Sequence, residues 1–207
     1  MVEHTLPKGR RTREAVLARG VELACRVGLG GLTIGGLADE VGMSKSGMYA
    51  HFGSKVALQL AVLDAAAEDF ATTVVLPALR APRGEPRVRA LAERWIACGI
   101  ERRPGGCLFV KASTELDEQD GPVRDRLRDQ HRQLADSIAR IVAGGVTEGQ
   151  FRADTDTAQF ATDLHGVMLG LYHGHRLLED PAAEQHARTA IDRLLAAVRS
   201  SPRAGAP

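Results

Sequence analysis

Only three cysteines, Cys25, Cys98 and Cys107, occur in 207 residues. They are odd in number and far apart, so they make neither a disulfide framework nor a metal-ligand spacing. A reducing compartment, the cytoplasm, is therefore expected. No apolar run approaches the roughly 18 residues that cross a bilayer, so no membrane partner is expected. The first eleven residues carry charge with no apolar segment after them, so no signal peptide is expected. Period-two alternation of apolar and polar residues, the mark of a half-buried strand, is missing throughout. So are a nucleophile elbow, a phosphate-binding Gly loop, a metal motif and an evident carboxylate pair. Gly105-Gly106 ahead of a helix is too short a pair to specify an anion. His165, His173 and His175 do not share a helix face, so no metal is expected, and no cofactor. These absences argue against an enzyme.

The chain is 44% hydrophobic with a net charge of +1. That supports a real core and one ordinary domain or two small ones. The charge is uneven. Residues 1–55 hold eight Lys and Arg against five acids, while the remainder holds nineteen against twenty-one. A basic head on a slightly acidic body suits a small DNA-binding domain on a body that need not touch DNA.

The stretch from Leu32 to Lys55 reads as two short helices, a tight turn between them, and the start of a third. Leu37, Ala38 and Val41 make one apolar face. Gly42 follows where a left-handed residue is needed to leave a helix. Ser44 caps the next helix with its hydroxyl. Met48 and Phe52, four apart, face inward. Lys45, Ser46, Tyr49 and His51 face outward, and all can meet phosphates or base edges. This is the pattern of a helix-turn-helix, in which the second helix enters the major groove.

The residues Thr33, Leu37-Ala38, Val41-Gly42-Met43-Ser44, Lys45, Gly47, Tyr49, His51-Phe52, Ser54-Lys55 and Leu58 resemble the DNA-binding domain of the TetR family of bacterial transcription regulators. The resemblance covers about a quarter of the chain. It implies an all-α fold, a helical body that binds a small-molecule effector, a homodimer, and a double-stranded palindromic operator as partner, mostly under repression. Gly35 and Gly36 depart from the pattern: many relatives place a charged or polar side chain near these positions. Fewer side-chain contacts to DNA are therefore expected from that helix.

About nine helices are expected: a three-helix head in residues 1–55 and a larger effector-binding and dimerisation body in residues 56–207. Lys8, Arg10 and Arg11 form either an arm that tracks DNA or a solvated basic tail. Thr12 caps a first helix to about Val27, with Val16, Gly20, Leu23 and Val27 on its apolar face. Ser54 caps a fourth helix with Leu58, Val62, Ala65 and Phe70 along one side. Later helices are expected over about 86–102, 107–116, from Gly121-Pro122 to Gly144-Gly145 and the Glu148-Gly149-Gln150 turn, from an Asp156/Gln159 capping box to about Leu178, and from Asp180-Pro181 to Val198. The tail beyond Ser200 is expected to be disordered.

The expected DNA contacts are Thr33, Ser44, Lys45, Ser46, Gly47, Tyr49, His51 and Lys55. Lys45, Ser46 and Gly47 are expected nearest the bases, and Tyr49, His51, Lys55 and Thr33 at phosphates. Gly166, Gly170 and Gly174 form a stripe about 80° from the apolar one on their helix. Three interior glycines cost roughly 2–3 kcal/mol together, which close approach of another helix would offset. With Ile191, Leu194 and Val198 they make the expected dimer interface; close packing within one chain is the alternative. Trp95, Cys98, Phe109, His131, His165, Met168 and Tyr172 are the expected effector lining, with plain core packing as the alternative. The two rival functions are an architectural DNA-binding protein without an effector and an all-helical enzyme.

Overall fold

The computed structural model describes residues 8–100 and 105–200, with side chains from residue 12. Its elements are α1 (Lys8–Gly31), α2 (Ile34–Val41), α3 (Lys45–Phe52), α4 (Lys55–Phe70), a π-helical turn (Ala71–Val75), α5 (Leu76–Ala78), α6 (Glu85–Ile100), α7 (Leu108–Glu115), α8 (Pro122–Thr147), α9 (Thr157–Arg176) and α10 (Ala183–Val198). Nine of the α-helices among the described residues have eight or more residues; α5 is a single turn. The fold is all-α as expected, and the described residues hold no strand, only a lone antiparallel bridge between Phe151 and Arg199. None of the described helices is long and apolar enough to cross a membrane. The side chains of Lys8, Arg10 and Arg11, the expected helix end at Arg102 and the tail beyond Ser200 lie outside the described residues.

The chain forms two compact units. The first holds the described residues of 1–69 and 103–128, the second those of 70–102 and 129–200. The first takes in more chain than a head of residues 1–55. Leu108, Ala112, Leu116, Val123 and Leu127, from α7 and the start of α8, join one apolar core with Val16, Leu29, Leu37, Met48, Phe52 and Leu58.

Several local expectations are corrected in this unit. Thr12 lies inside α1, which starts at Lys8. The face of α1 that packs inward is Val16, Leu17, Gly20, Val21, Ala24 and Cys25, whereas Val27 is 49% exposed. The stripe is thus rotated from the expected one, and Gly20 is the hub: a Cβ there would meet Val62 Cγ2 at 2.9 Å and Leu37 Cδ2 at 3.4 Å. The glycine lets α1 lie against α2 and α4 at once. On α4 the buried set is Leu58, Gln59, Val62, Leu63 and Ala66, so Ala66 replaces the expected Ala65.

In the second unit, α4 continues into the π-helical turn, where the N–H of Leu76 reaches the carbonyl of Ala71. Pro77 supplies the cause. It has no N–H, and in a regular helix its ring would press on the carbonyl of Thr73; widening the turn relieves that contact. Helix α8 runs through Gly144 and Gly145 to Thr147 and stops at the expected Glu148-Gly149-Gln150 turn, where Gly149 has φ 70°. Gly145 serves packing instead, because a Cβ there would strike the ring of Phe151. Asp156 caps α9 by accepting from the N–H groups of Ala158 (3.0 Å) and Gln159 (2.9 Å), but Gln159 turns away to donate to Asp163 (2.7 Å), so the reciprocal half of the capping box is not made. Helix α9 stops at Arg176, and Leu177 and Leu178 are 70% and 63% exposed. Asp180 accepts from Ala182 N (2.9 Å) in a turn ahead of α10 and does not cap it.

Glu85 ties the ends of this unit together. Its carboxylate receives both Arg199 Nε (2.6 Å) and Arg199 Nη2 (2.5 Å) and also Arg89 Nε (2.8 Å). Hydrogen bonding to Arg199, then to Arg89, holds its pKa down from 4.5 to about 2 against the opposing effect of burial. A depressed carboxylate pKa adds stability that is complete above the unfolded value near 4.5 and is lost as pH falls toward 2. Glu85→Gln is expected to cost roughly 1 kcal/mol at pH 7. It should also flatten the loss of unfolding midpoint between pH 5 and 3, read by urea titration followed by circular dichroism; equal acid sensitivity in both proteins counts against this assignment.

Candidate nucleic-acid interface and effector cluster

The helix-turn-helix is built from local signals. Thr33 caps α2, its Oγ1 accepting from Gly36 N at 2.9 Å. Gly42 takes the left-handed conformation (φ 67°, ψ 30°), and the Met43 N–H closes the turn on Ala38 O at 3.0 Å. Ser44 caps α3, its Oγ accepting from Gly47 N at 3.1 Å and lying 3.2 Å from Ser46 Oγ. Ser54 Oγ accepts from Ala57 N at 3.1 Å to open α4. Met48 and Phe52 are buried with Leu37 and Ala38, which leaves Lys45, Ser46, Tyr49, Ala50 and His51 on the outer face of α3. Tyr49 is 55% exposed, far more than an aromatic ring with only a packing role. Gly47 is half-buried, and a Cβ there would stand 3.1 Å from Ser44 Oγ, so its bareness also protects the cap.

Not every expected contact residue is idle. Lys55 donates from Nζ to the carbonyl of Gly30 at 2.5 Å. Thr33 and Ser44 spend their hydroxyls on capping. Lys45 does not point straight out from α3: its Cε and Nζ lie 3.4 and 3.7 Å from where a Cβ of Gly35 would be.

Sequence reasoning missed the device that holds the helix-turn-helix from behind. Gly28 (φ 82°) kinks α1 near its end. The Glu115 carboxylate on α7 accepts from the N–H groups of Leu29 (2.8 Å) and Gly30 (2.5 Å) beyond the kink. Lys111, one turn earlier, donates to the carbonyls of Cys25 (2.8 Å) and Arg26 (3.1 Å) before it. Gln59 donates to the carbonyl of Leu29 at 2.7 Å. Six backbone groups around the kink thus meet a polar side chain: the N–H groups of Leu29 and Gly30 and the carbonyls of Cys25, Arg26, Leu29 and Gly30. Arg19 (3.1 Å) and Arg26 (2.8 Å) both grip Glu40, fastening α1 to α2. No local pattern could have shown this, because Glu115 and its amides are 85 and 86 residues apart.

In the second unit, three of the expected effector residues, Trp95, His131 and His165, form one ring cluster. His131 and His165 stack with centroids 5.4 Å apart and planes at 20°. Trp95 meets His165 edge-on at 5.7 Å. Phe70, which the lining did not include, meets Trp95 edge-on at 5.6 Å. Burial lowers the pKa of His165, favouring its uncharged form. Met168 and Tyr172 are buried on the same helix, and Cys98 is half-buried. Gly99 makes room for Tyr172, since a Cβ at 99 would run into the phenol ring. Phe109 is placed differently: it packs on the core of the first unit.

The expected dimer residues divide. Gly166 and Gly170 are exposed, and a Cβ on either would meet nothing within 4 Å. Leu169 beside them is 41% exposed. Gly174 is used inside the chain, where its Cβ would sit 3.1 Å from the Cβ of Ala183. Ile191 is also turned inward, at 3% exposure, while Leu194 and Val198 are half-buried. The inward face of α10 is Ala183, Ala187, Ile191 and Leu195, so Ile191 has no surface to offer a partner.

A family model described as "Bacterial regulatory proteins, tetR family" matches residues 16–62. One described as "Tetracyclin repressor-like, C-terminal domain" matches residues 84–191. Among solved structures, a TetR transcriptional regulator from Chloroflexus aurantiacus is 26% identical with a TM-score of 0.83, the match covering 95% of this chain and 100% of that one. A TetR-family regulator from Cytophaga hutchinsonii is 19% identical with a TM-score of 0.82, covering 96% and 100%. AibR, solved with isovaleryl coenzyme A and operator DNA, is 20% identical with a TM-score of 0.70, covering 88% and 98%. No curated protein matches the chain.

Proposed function

This chain belongs to the TetR family of bacterial regulatory proteins, and from that premise we propose that it is a cytoplasmic, homodimeric repressor released from its operator by a small molecule. The head of residues 1–55 carries DNA binding and residues 56–207 carry effector binding and dimerisation. The observation that supports this most is α3 itself. It is a capped eight-residue helix with two large apolar side chains inward and Lys45, Ser46, Tyr49, Ala50 and His51 outward. A helix so dressed suits the major groove, with its N-terminal residues at base edges. Two copies about 34–36 Å apart would read successive grooves of a palindrome.

Dimerisation is supported by the bare strip of α9. Gly166, Leu169 and Gly170 form an exposed face where another helix can approach closely, and the protomer itself leaves the two glycines untouched. Leu194 and Val198 of α10 remain available beside the inward face of that helix. Effector binding is supported by the ring cluster of Phe70, Trp95, His131 and His165, whose mix of apolar faces and imidazole nitrogens suits a small ligand. A ligand bound there would act by favouring the conformation that fits the operator less well.

The experiment is a gel shift with duplexes from the DNA upstream of its own coding sequence, followed by a screen for small molecules that release the complex. Tyr49→Ala is expected to weaken the complex about 10-fold or more, since each of two heads loses a hydrogen bond to a charged phosphate, roughly 1.5–3 kcal/mol. Its fold should stay intact, because Tyr49 is not part of the core. Failure to bind any duplex would defeat the reading; binding that no small molecule relieves would leave an architectural DNA-binding protein in its place.

A further inference from the structure

The position of Lys45 bears on how the operator is read, an inference that rests on the DNA-binding function proposed above. Among the described basic side chains of the head, four are held within the protein. The Arg13 guanidinium lies 5.4 Å over the ring of Phe52. Arg19 and Arg26 are paired with Glu40. Lys55 donates to Gly30 O. Lys45 is exposed, and its terminal atoms are laid across the gap between α3 and α2, beside Gly35.

That gap exists because α2 carries Gly35 and Gly36 in its first turn and so projects no side chain there. The Lys45 side chain lies within ordinary van der Waals reach of position 35, its Cε and Nζ 3.4 and 3.7 Å from where a Cβ there would be. It also stands near the amino end of α2, where the helix field is positive. A cation is mildly disfavoured at that end, and an anion drawn between them relieves both. DNA phosphate is the anion that the proposed function brings to this surface. A point charge on a flexible stem suits a phosphate better than it suits a base edge, which rewards a planar, bidentate donor.

We propose that Lys45 is a phosphate ligand that stands in, from α3, for the side chain that α2 lacks at Gly35, and that base reading falls to other residues of α3. Lys45 thus sets register and affinity, and it does not set sequence preference.

The test uses the full-length protein and a duplex enriched by it from a random pool. Lys45→Ala is expected to weaken binding by roughly 10–100-fold, two heads each losing one charge-assisted contact. The loss should be the same factor on the enriched duplex and on its single-base-pair variants. The slope of log affinity against log salt should fall by about 2, one phosphate per head. Lys45→Arg should keep the slope. Gly35→Lys in the Lys45→Ala background should restore both affinity and slope, because position 35 reaches the same space directly; circular dichroism checks that this variant stays helical. Loss of discrimination at one base pair in Lys45→Ala overturns the proposal in favour of base reading. So does an unchanged salt slope, or failure of a folded Gly35→Lys/Lys45→Ala protein to recover. If the wild-type protein enriches no duplex, the DNA-binding function falls and this role falls with it, an outcome plainly different from altered discrimination.

Discussion

Glu115→Ala is expected to destabilise the first unit by about 2–4 kcal/mol, the cost of stranding two amides that lose a charged acceptor. The Leu29 and Gly30 N–H groups lie just past the kink at Gly28, with Glu115 as their acceptor. Thr33, the cap of α2, follows within three residues. Loosening this corner therefore loosens the seat of the helix-turn-helix, and operator affinity should fall together with stability. Glu115→Gln should recover only part of the loss, because it keeps one acceptor oxygen but turns an NH2 group toward the other amide. Gly28→Ala should also be costly, for two reasons: its φ of 82° strains an L residue, and the new Cβ would stand 2.8 Å from Glu115 Oε2. In the Glu115→Ala background the second reason disappears, so the two changes should cost less together than the sum of their separate effects. Urea unfolding followed by circular dichroism, with amide hydrogen exchange at Leu29 and Gly30, makes the measurement. Unchanged exchange at those amides in Glu115→Ala would show that the contact does not hold the corner.

Gly170→Glu is expected to convert the proposed dimer to monomers, raising its dissociation constant by about 100-fold or more, as burying an unpaired charge costs about 3–5 kcal/mol. The protomer should fold normally, because nothing in the chain lies within 4 Å of a Cβ at position 170. Gly174 is the internal control. A Cβ there would stand 3.1 Å from the Cβ of Ala183, so Gly174→Leu should damage the protomer by forcing α9 and α10 apart. The pair of variants separates the two explanations of the glycine stripe: one position serves packing within the chain, the other a partner. Since two half-sites are gripped at once, loss of the dimer should also lower operator affinity far more than it changes the fold. Sedimentation velocity at micromolar concentration decides the matter. A wild-type monomer, or a Gly170→Glu protein that still sediments as a dimer, would place the interface elsewhere.

The head was legible because its signals are local. A cap hydroxyl at Thr33, Ser44 or Ser54 acts on an amide three residues away, and Gly42 ends α2 through its own φ. Met48 and Phe52 lie one turn apart, so their spacing alone put both inside. Helix faces were read less well. The expected stripe on α1 was rotated because its burial is decided by α2 and α4, which press on Gly20, and by α7, which meets the helix end. Gly144 and Gly145 resembled a stop because glycine is poor in helices, but packing against Phe151 outweighs that penalty at Gly145. Ile191 shows the same limit on α10: its spacing marks an apolar face without saying which neighbour the face meets.

The amino-acid sequence by itself determined the class of fold, the helix-turn-helix with its caps and turn, and the outward dress of α3, because each depends on interactions spanning five residues or fewer. Tertiary structure decided which cations of the head are spent internally, where Lys45 rests, that Glu115 and Lys111 hold the end of α1, and which of the α9 glycines are open. These depend on groups brought together from up to 86 residues away, and the sequence carries no periodicity that encodes such a meeting.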